Sequence, residues 1–141
     1  MFNHRYTFGT RVTGPFADVR EGAVAALKTE GFGVLTEIDV AATMKTKLDV
    51  DFAPYVILGA CNPPFAHRAL TTDPSIGALL PCNFVVRSDG DAVVVEAMDP
   101  AAVLGLVQDP RVDEVAGEVR ARLVRVVGVL ASQFPVTESA S

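Results

Sequence analysis

The chain is poor in cysteine, holding two in 141 residues. Two thiols cannot build the cross-linked framework of a small secreted domain, so each reads as core or as chemistry. Long apolar runs are missing as well. Half of the residues are hydrophobic, yet no window supplies the roughly 18 uninterrupted apolar residues a spanning helix needs. Stretches such as Tyr55-Val56-Ile57-Leu58 and Val93-Val94-Val95 are short and have the pattern of buried strands, which excludes a membrane-spanning role. The first residues, Met1 to Tyr6, carry no apolar signal-peptide core, and the expected compartment is the cytoplasm. Positive charge is scarce: 12 basic residues against 17 acidic give a net charge of −5. Nucleic-acid binders displace counterions with a basic surface, so that class is excluded. Lys45 with Lys47 is the densest basic group, and it reads as an exposed face. No glycine-rich nucleotide fingerprint follows a strand, no serine sits in a nucleophile elbow, and no second histidine stands near a triad.

What is present is the composition and length of one globular domain, expected over residues 1–134 with a frayed tail over 135–141. Tyr6 to Val12 alternates as a first strand. Gly14-Pro15 opens a helix with Phe16, Val19, Ala23 and Leu27 on one face, and Gly31 ends it. Phe32 to Ile38 is a second strand. Asp39 caps a short helix expected to turn Met44 and Leu48 inward. Tyr55 to Ala60 has the continuous apolar run of a central strand; Asn62-Pro63-Pro64 ends it, and a helix follows from Phe65 to Leu70. Asn83 to Arg87 and Ala92 to Met98 form a hairpin around Ser88-Asp89-Gly90-Asp91, where Asp-Gly supplies positive φ. The oxygen series of a calcium loop is absent there, so Asp89 and Asp91 belong to the turn. Pro110 to Ser132 is the clearest helix, with Val112, Val115, Val119, Leu123, Val126 and Leu130 as its apolar stripe and Glu118–Arg122 as an outer pair. The sum is an α+β fold: a sheet of about five strands with helices packed on one face.

Chemistry concentrates in two blocks, Gly59-Ala60-Cys61-Asn62-Pro63-Pro64-Phe65-Ala66-His67-Arg68 and Leu79-Leu80-Pro81-Cys82-Asn83. Both cysteines lie here, each followed by asparagine. Cys61 precedes a helix start, where free N–H groups and the helix dipole favour a thiolate. His67 lies about a turn into the same helix. If the strands carrying Cys61 and Cys82 run antiparallel, both thiols reach one end of the sheet, and Cys61, His67 and Cys82 become candidate metal ligands. The ordinary readings stand beside these. A free cysteine often packs as a small hydrophobe, Asn62 and Asn83 suit caps and turns, and His67 and Arg68 suit a solvated helix face. Glu37 and Asp39 have an ordinary spacing for a strand edge, and His4 stands alone.

Lys47-Leu48, the run from Tyr55 to Pro63, Ala66, Ala69-Leu70, Gly77 and the run from Leu79 to Asn83 together resemble the bacterial domain of unknown function 302 family. The resemblance implies a curved, mainly antiparallel sheet similar to the TATA-binding-protein class, and a homodimer. It implies no established activity. Asp49 departs from the pattern, which has glycine after Lys47-Leu48. Three readings of function remain open. The first is a small-molecule or metal-binding domain whose pocket holds Cys61, Asn62, His67, Cys82 and Asn83, with Cys61 and His67 as candidate catalytic residues. The second is a thiol redox protein in which Cys82 resolves Cys61. The third is a non-catalytic homodimeric interaction module. No cofactor is indicated by any motif.

Overall fold

A computed structural model describes residues 1–137. Its single sheet has six strands: β1 (Phe2–Asn3), β2 (Thr7–Val12), β3 (Gly33–Asp39), β4 (Tyr55–Cys61), β5 (Cys82–Asp89) and β6 (Ala92–Met98). They lie in the order β1-β2-β6-β5-β4-β3, and every neighbouring pair is antiparallel. Five helices connect or cover them: α1 (Phe16–Thr29), α2 (Val40–Leu48), α3 (Pro63–Thr72), α4 (Pro100–Leu104) and α5 (Pro110–Gln133). The sheet has one strand more than expected, because β1 is too short to show alternation. The sequence reading also lacked α4 and the 3-10 segment Pro74–Leu79. The start of α4 was legible, since Asp99 accepts a hydrogen bond from the Ala101 amide at 3.0 Å just ahead of a proline-led turn.

Strand alternation sorts the sheet into two faces. Val56, Leu58 and Ala60 of β4, Cys82, Phe84 and Val86 of β5, and Val93, Val95 and Ala97 of β6 are all buried in the main core. They meet Val19, Ala23, Ala26 and Leu27 of α1, Phe65 and Ala69 of α3, and the stripe of α5 that runs from Val112 to Leu130. This stripe matches the one read from the sequence. Its outer pair does not form: Arg122 turns away from Glu118 and donates to the Glu30 carbonyl at 3.1 Å. The end of α1 is closed as its glycine suggested. Gly31 has φ +87°, with its amide on the Lys28 carbonyl and the Phe32 amide on the Leu27 carbonyl, a Schellman closure.

Helix α2 corrects a second expectation. Asp39 does cap it, accepting from the Ala42 amide at 2.9 Å, but the helix buries none of its residues and Leu48 is 65 % exposed. It lies beside the terminal strand β3, where no helical layer stands above it to receive an apolar face. The first residues of the expected tail are paired: Val136 bridges Val12, and the Thr13 and Thr137 amides exchange hydrogen bonds with the Pro135 and Arg11 carbonyls. The remainder, residues 138–141, lies outside the described residues.

Asp49 explains its own departure from the pattern. It closes α2 with φ 52° and ψ 39°, the left-handed region that a side chain adopts at a cost and glycine adopts freely. Part of that cost is offset by Lys45, whose Nζ lies 3.1 Å from the Asp49 carboxylate, an exposed pair worth little. Asp49→Gly is therefore expected to stabilise the chain by about 0.5 kcal/mol in urea unfolding. A loss of stability would show that the ion pair outweighs the backbone strain.

Candidate functional site

The two Cys-Asn blocks meet because β4 and β5 are antiparallel, with Ala60 opposite Cys82 and Gly59 opposite Asn83. Cys61 is the last residue of β4. Asn62 follows in extended backbone (φ −105°, ψ 100°) and Pro63 starts α3, as a residue before proline must be extended and proline suits a first helical turn. Asn62 holds the N-cap position, yet its side chain does not cap α3. Its Nδ2 instead donates to the Glu30 carbonyl at 3.1 Å. The Arg122 guanidinium reaches the same oxygen, so two donors from α5 and the β4–α3 corner satisfy one orphan carbonyl at the end of α1. Gly31 makes room for this contact: a Cβ there would lie 3.1 Å from Asn62 Nδ2.

Above the corner, the Phe65 ring is flanked by two guanidinium groups, Arg122 at 5.2 Å and Arg68 at 6.0 Å from its centroid. Arg68 also approaches Glu114 at 3.8 Å. It bridges α3 to α5 and stacks on an aromatic face.

Cys61 and Cys82 both line a cavity of about 30 Å³ together with Asn62, Phe65, Leu80 and Pro81. That volume holds about one water molecule. Asn62 is its one polar side chain apart from the thiols, and the Leu80–Pro81 peptide beside it is cis. Burial governs the thiols here. It pushes Cys61 above its ordinary value, and it pushes Cys82 up to about 11, with the neighbouring Cys61 adding to the rise. Burial thus runs against the thiolate expected at Cys61, since the apolar wall of Phe65, Leu80 and Pro81 favours the neutral thiol.

The other candidates lie elsewhere. His67 is exposed on α3 and borders an open depression with Arg68, Thr71, Arg111 and Glu114. Asn83 points to the opposite face of the sheet from Cys82. Among the described residues no group of three or more His, Cys, Asp and Glu side chains could hold a metal ion, so Cys61, His67 and Cys82 do not assemble into a ligand set. The phase of α3 holds His67 away from the two thiols, which its closeness to Cys61 in sequence conceals.

The face of the sheet turned away from the core carries a larger feature. A depression of about 450 Å³ is lined by Tyr6, Tyr55, Asn83, Arg87, Glu96 and Met98, among others. The Arg87 Nε donates to Glu96 Oε1 at 2.9 Å across the β5–β6 hairpin. Of these residues only Asn83 stood out in the sequence. The signal for the pair was the hairpin itself, whose Asp-Gly turn fixes which residues of the two strands share a face.

An antiparallel sheet open on one side and covered by helices on the other defines the chain as an α+β domain. It belongs to the DUF302 family: the family described as "Domain of unknown function DUF302" matches residues 8–130. The fold is similar to the crystal structure of an uncharacterized conserved DUF302 protein from Bacillus stearothermophilus, with a TM-score of 0.83 and 30 % identity. That likeness covers 89 % of this chain and 98 % of the other. No curated protein matches the chain.

Two outcomes follow for the thiols. Alkylation of Cys61 by iodoacetamide should be slower at neutral pH than that of free cysteine and should keep climbing through the alkaline range; a rate already level below neutrality would overturn the neutral thiol. Stability carries the same sign. An unfolded Cys82 ionises near 9.0 and the folded one only near about 11, so its contribution is complete below pH 9 and is lost as pH rises between those values. Wild type should lose about 2 kcal/mol more than Cys82→Ala across that window in denaturant titrations. Parallel losses in the two proteins would refute it.

Proposed function

We propose that this DUF302 domain is a non-catalytic module that works as a homodimer, two copies meeting through β3, α2 and the loop that returns to β4. The observation that carries this reading is the concentration of exposed apolar side chains there. Of ten large hydrophobic residues exposed among the described residues, five fall in this segment: Leu35, Ile38, Leu48, Val50 and Phe52. A nine-residue helix that buries nothing is far below the length that is stable alone in water. Covering it would supply the burial that the single chain does not.

A second copy fits the segment better than an unrelated partner does. Within each copy Lys45 pairs with Asp49 and Asp51, and Glu37 with Arg20, which leaves Lys47 to meet an acidic side chain across a two-fold axis. The bulge between Val34 and Thr36 interrupts the β3 ladder and turns Leu35 outward, which favours docking through side chains over a continued sheet. The family resemblance points the same way. Thiol redox chemistry is disfavoured by thiols held neutral, and metal chemistry by ligands that do not converge. In this reading Cys61, Asn62 and Cys82 serve the corner that joins β4, α3 and α1. Two free thiols suit the reducing cytoplasm, and no helix among the described residues is long and apolar enough to cross a membrane.

Sedimentation equilibrium tests the reading. Wild type is expected at twice the chain mass at micromolar concentration. The double variant Leu48→Glu, Phe52→Ser should sediment as a monomer with an unchanged far-ultraviolet circular dichroism spectrum. A monomeric wild type, or a double variant that still dimerises, would refute the interface.

A further inference from the structure

The open face of the sheet holds a charged pair whose hydrogen-bonding capacity is mostly unused. Glu96 is only 12 % exposed at its side chain, and Arg87 is 33 % exposed. Arg87 spends Nε on Glu96 Oε1. Among the described residues its two terminal amino groups and Glu96 Oε2 make no hydrogen bond. A carboxylate drawn this far from water with one partner has strong capacity left to accept, and a guanidinium fork has strong capacity left to donate.

The surroundings leave this pair accessible from one side. Glu96 lies between Gly9 of β2 and Val85 of β5 in the cross-strand row. A Cβ on Gly9 would come within 2.1 Å of the Val95 carbonyl oxygen, so only glycine fits, and no side chain from that position covers Glu96. Around the pair stand the aromatic side chains of Tyr6 and Tyr55 and the apolar side chains of Met98 and Val103, with the exposed amide of Asn83 at one side. The depression, about 450 Å³, falls within the size range of small-molecule sites, which pair apolar walls with a few placed polar groups.

We propose that this depression is a binding site for a free α-amino acid with an apolar or aromatic side chain. The α-carboxylate would lie on the free amino groups of Arg87, the α-ammonium on Glu96 Oε2, and the side chain among Tyr6, Tyr55 and Met98. Charge selects this class. The Arg87–Glu96 pair is neutral as a whole, so a simple anion meets Glu96 and a simple cation meets Arg87, whereas a zwitterion satisfies both. The site adjoins the proposed dimer contact where Phe52 meets Tyr55 edge-on, with ring centroids 6.0 Å apart, but its charged pair belongs to β5 and β6 and needs no second copy.

Isothermal titration calorimetry with L-phenylalanine and L-leucine tests the proposal, with 3-phenylpropanoate and 2-phenylethylamine as probes lacking the ammonium and the carboxylate. At least one amino acid is expected to bind, and both truncated probes should bind at least about tenfold more weakly. Arg87→Gln and Glu96→Gln should each weaken amino-acid binding by about tenfold or more. Because that pair also ties β5 to β6, Tyr6→Ala provides a variant at a side chain the fold does not bury, expected to weaken binding about fivefold. Absence of heat with both amino acids would overturn the proposal. So would truncated probes that bind as tightly as phenylalanine, or a Tyr6→Ala protein that binds as wild type does.

Discussion

The register between β4 and β5 is the constraint on which the rest of the molecule depends. With Ala60 opposite Cys82 and Leu58 opposite Phe84, the inward residues of both strands meet the helices. Asn83, Val85 and Arg87 are left on the open side. A slip by one residue would exchange the two sets, placing Arg87 and Asn83 under α1 and α5 and expelling Phe84. Burying an unpaired guanidinium costs several kcal/mol, so the apolar pattern and the charged pattern of β5 enforce one register together. The β5–β6 hairpin then carries the same division to Glu96, outward, and to Val95 and Ala97, inward.

The corner after β4 depends on that register and gives the long helices their relative placement. One backbone oxygen, that of Glu30, accepts from Asn62 and from Arg122. The Glu30 carboxylate meanwhile accepts from Arg125 Nε at 2.9 Å. The end of α1 is thereby tied to α5 and to the start of α3 through polar contacts at the rim of an apolar core. Arg122 contributes twice, since its guanidinium also covers Phe65. Such a junction is sensitive to the identity of its members, because a lysine in place of Arg122 would lose the flat face that stacks on the ring.

Most of the fold was legible because it rests on local signals. The stripe of α5, the Asp-Gly turn, the Gly31 closure and the run of β4 each lie within one segment. What escaped the sequence depends on what stands above a residue in space. Met44 and Leu48 have the spacing of a buried helical face, but periodicity cannot reveal that α2 sits at the edge of the sheet with no layer over it. Arg122 has a correctly spaced helical partner in Glu118, and a carbonyl 92 residues away competes successfully for it. Of the candidate site, the meeting of Cys61 and Cys82 followed once the strands were antiparallel. The distance of His67 from them did not, because it is set by the phase of α3, whose inward residues are Phe65 and Ala69.

The repeated Cys-Asn pair shows why similar residues in sequence need not share a task. At positions 82 and 83 the pair lies within a strand, so alternation sends the thiol into the core and the amide to the open face. At positions 61 and 62 it lies where the strand ends. Cys61 borders the same small cavity as Cys82, while Asn62, freed from alternation by the proline that follows, turns back to α1. The thiols converge in an apolar setting that keeps them protonated, and the amides diverge. Polar capacity that can meet a ligand therefore gathers on the outward side of β5 and β6. There Asn83 joins Arg87 and Glu96 in the depression that Tyr6 and Tyr55 also line.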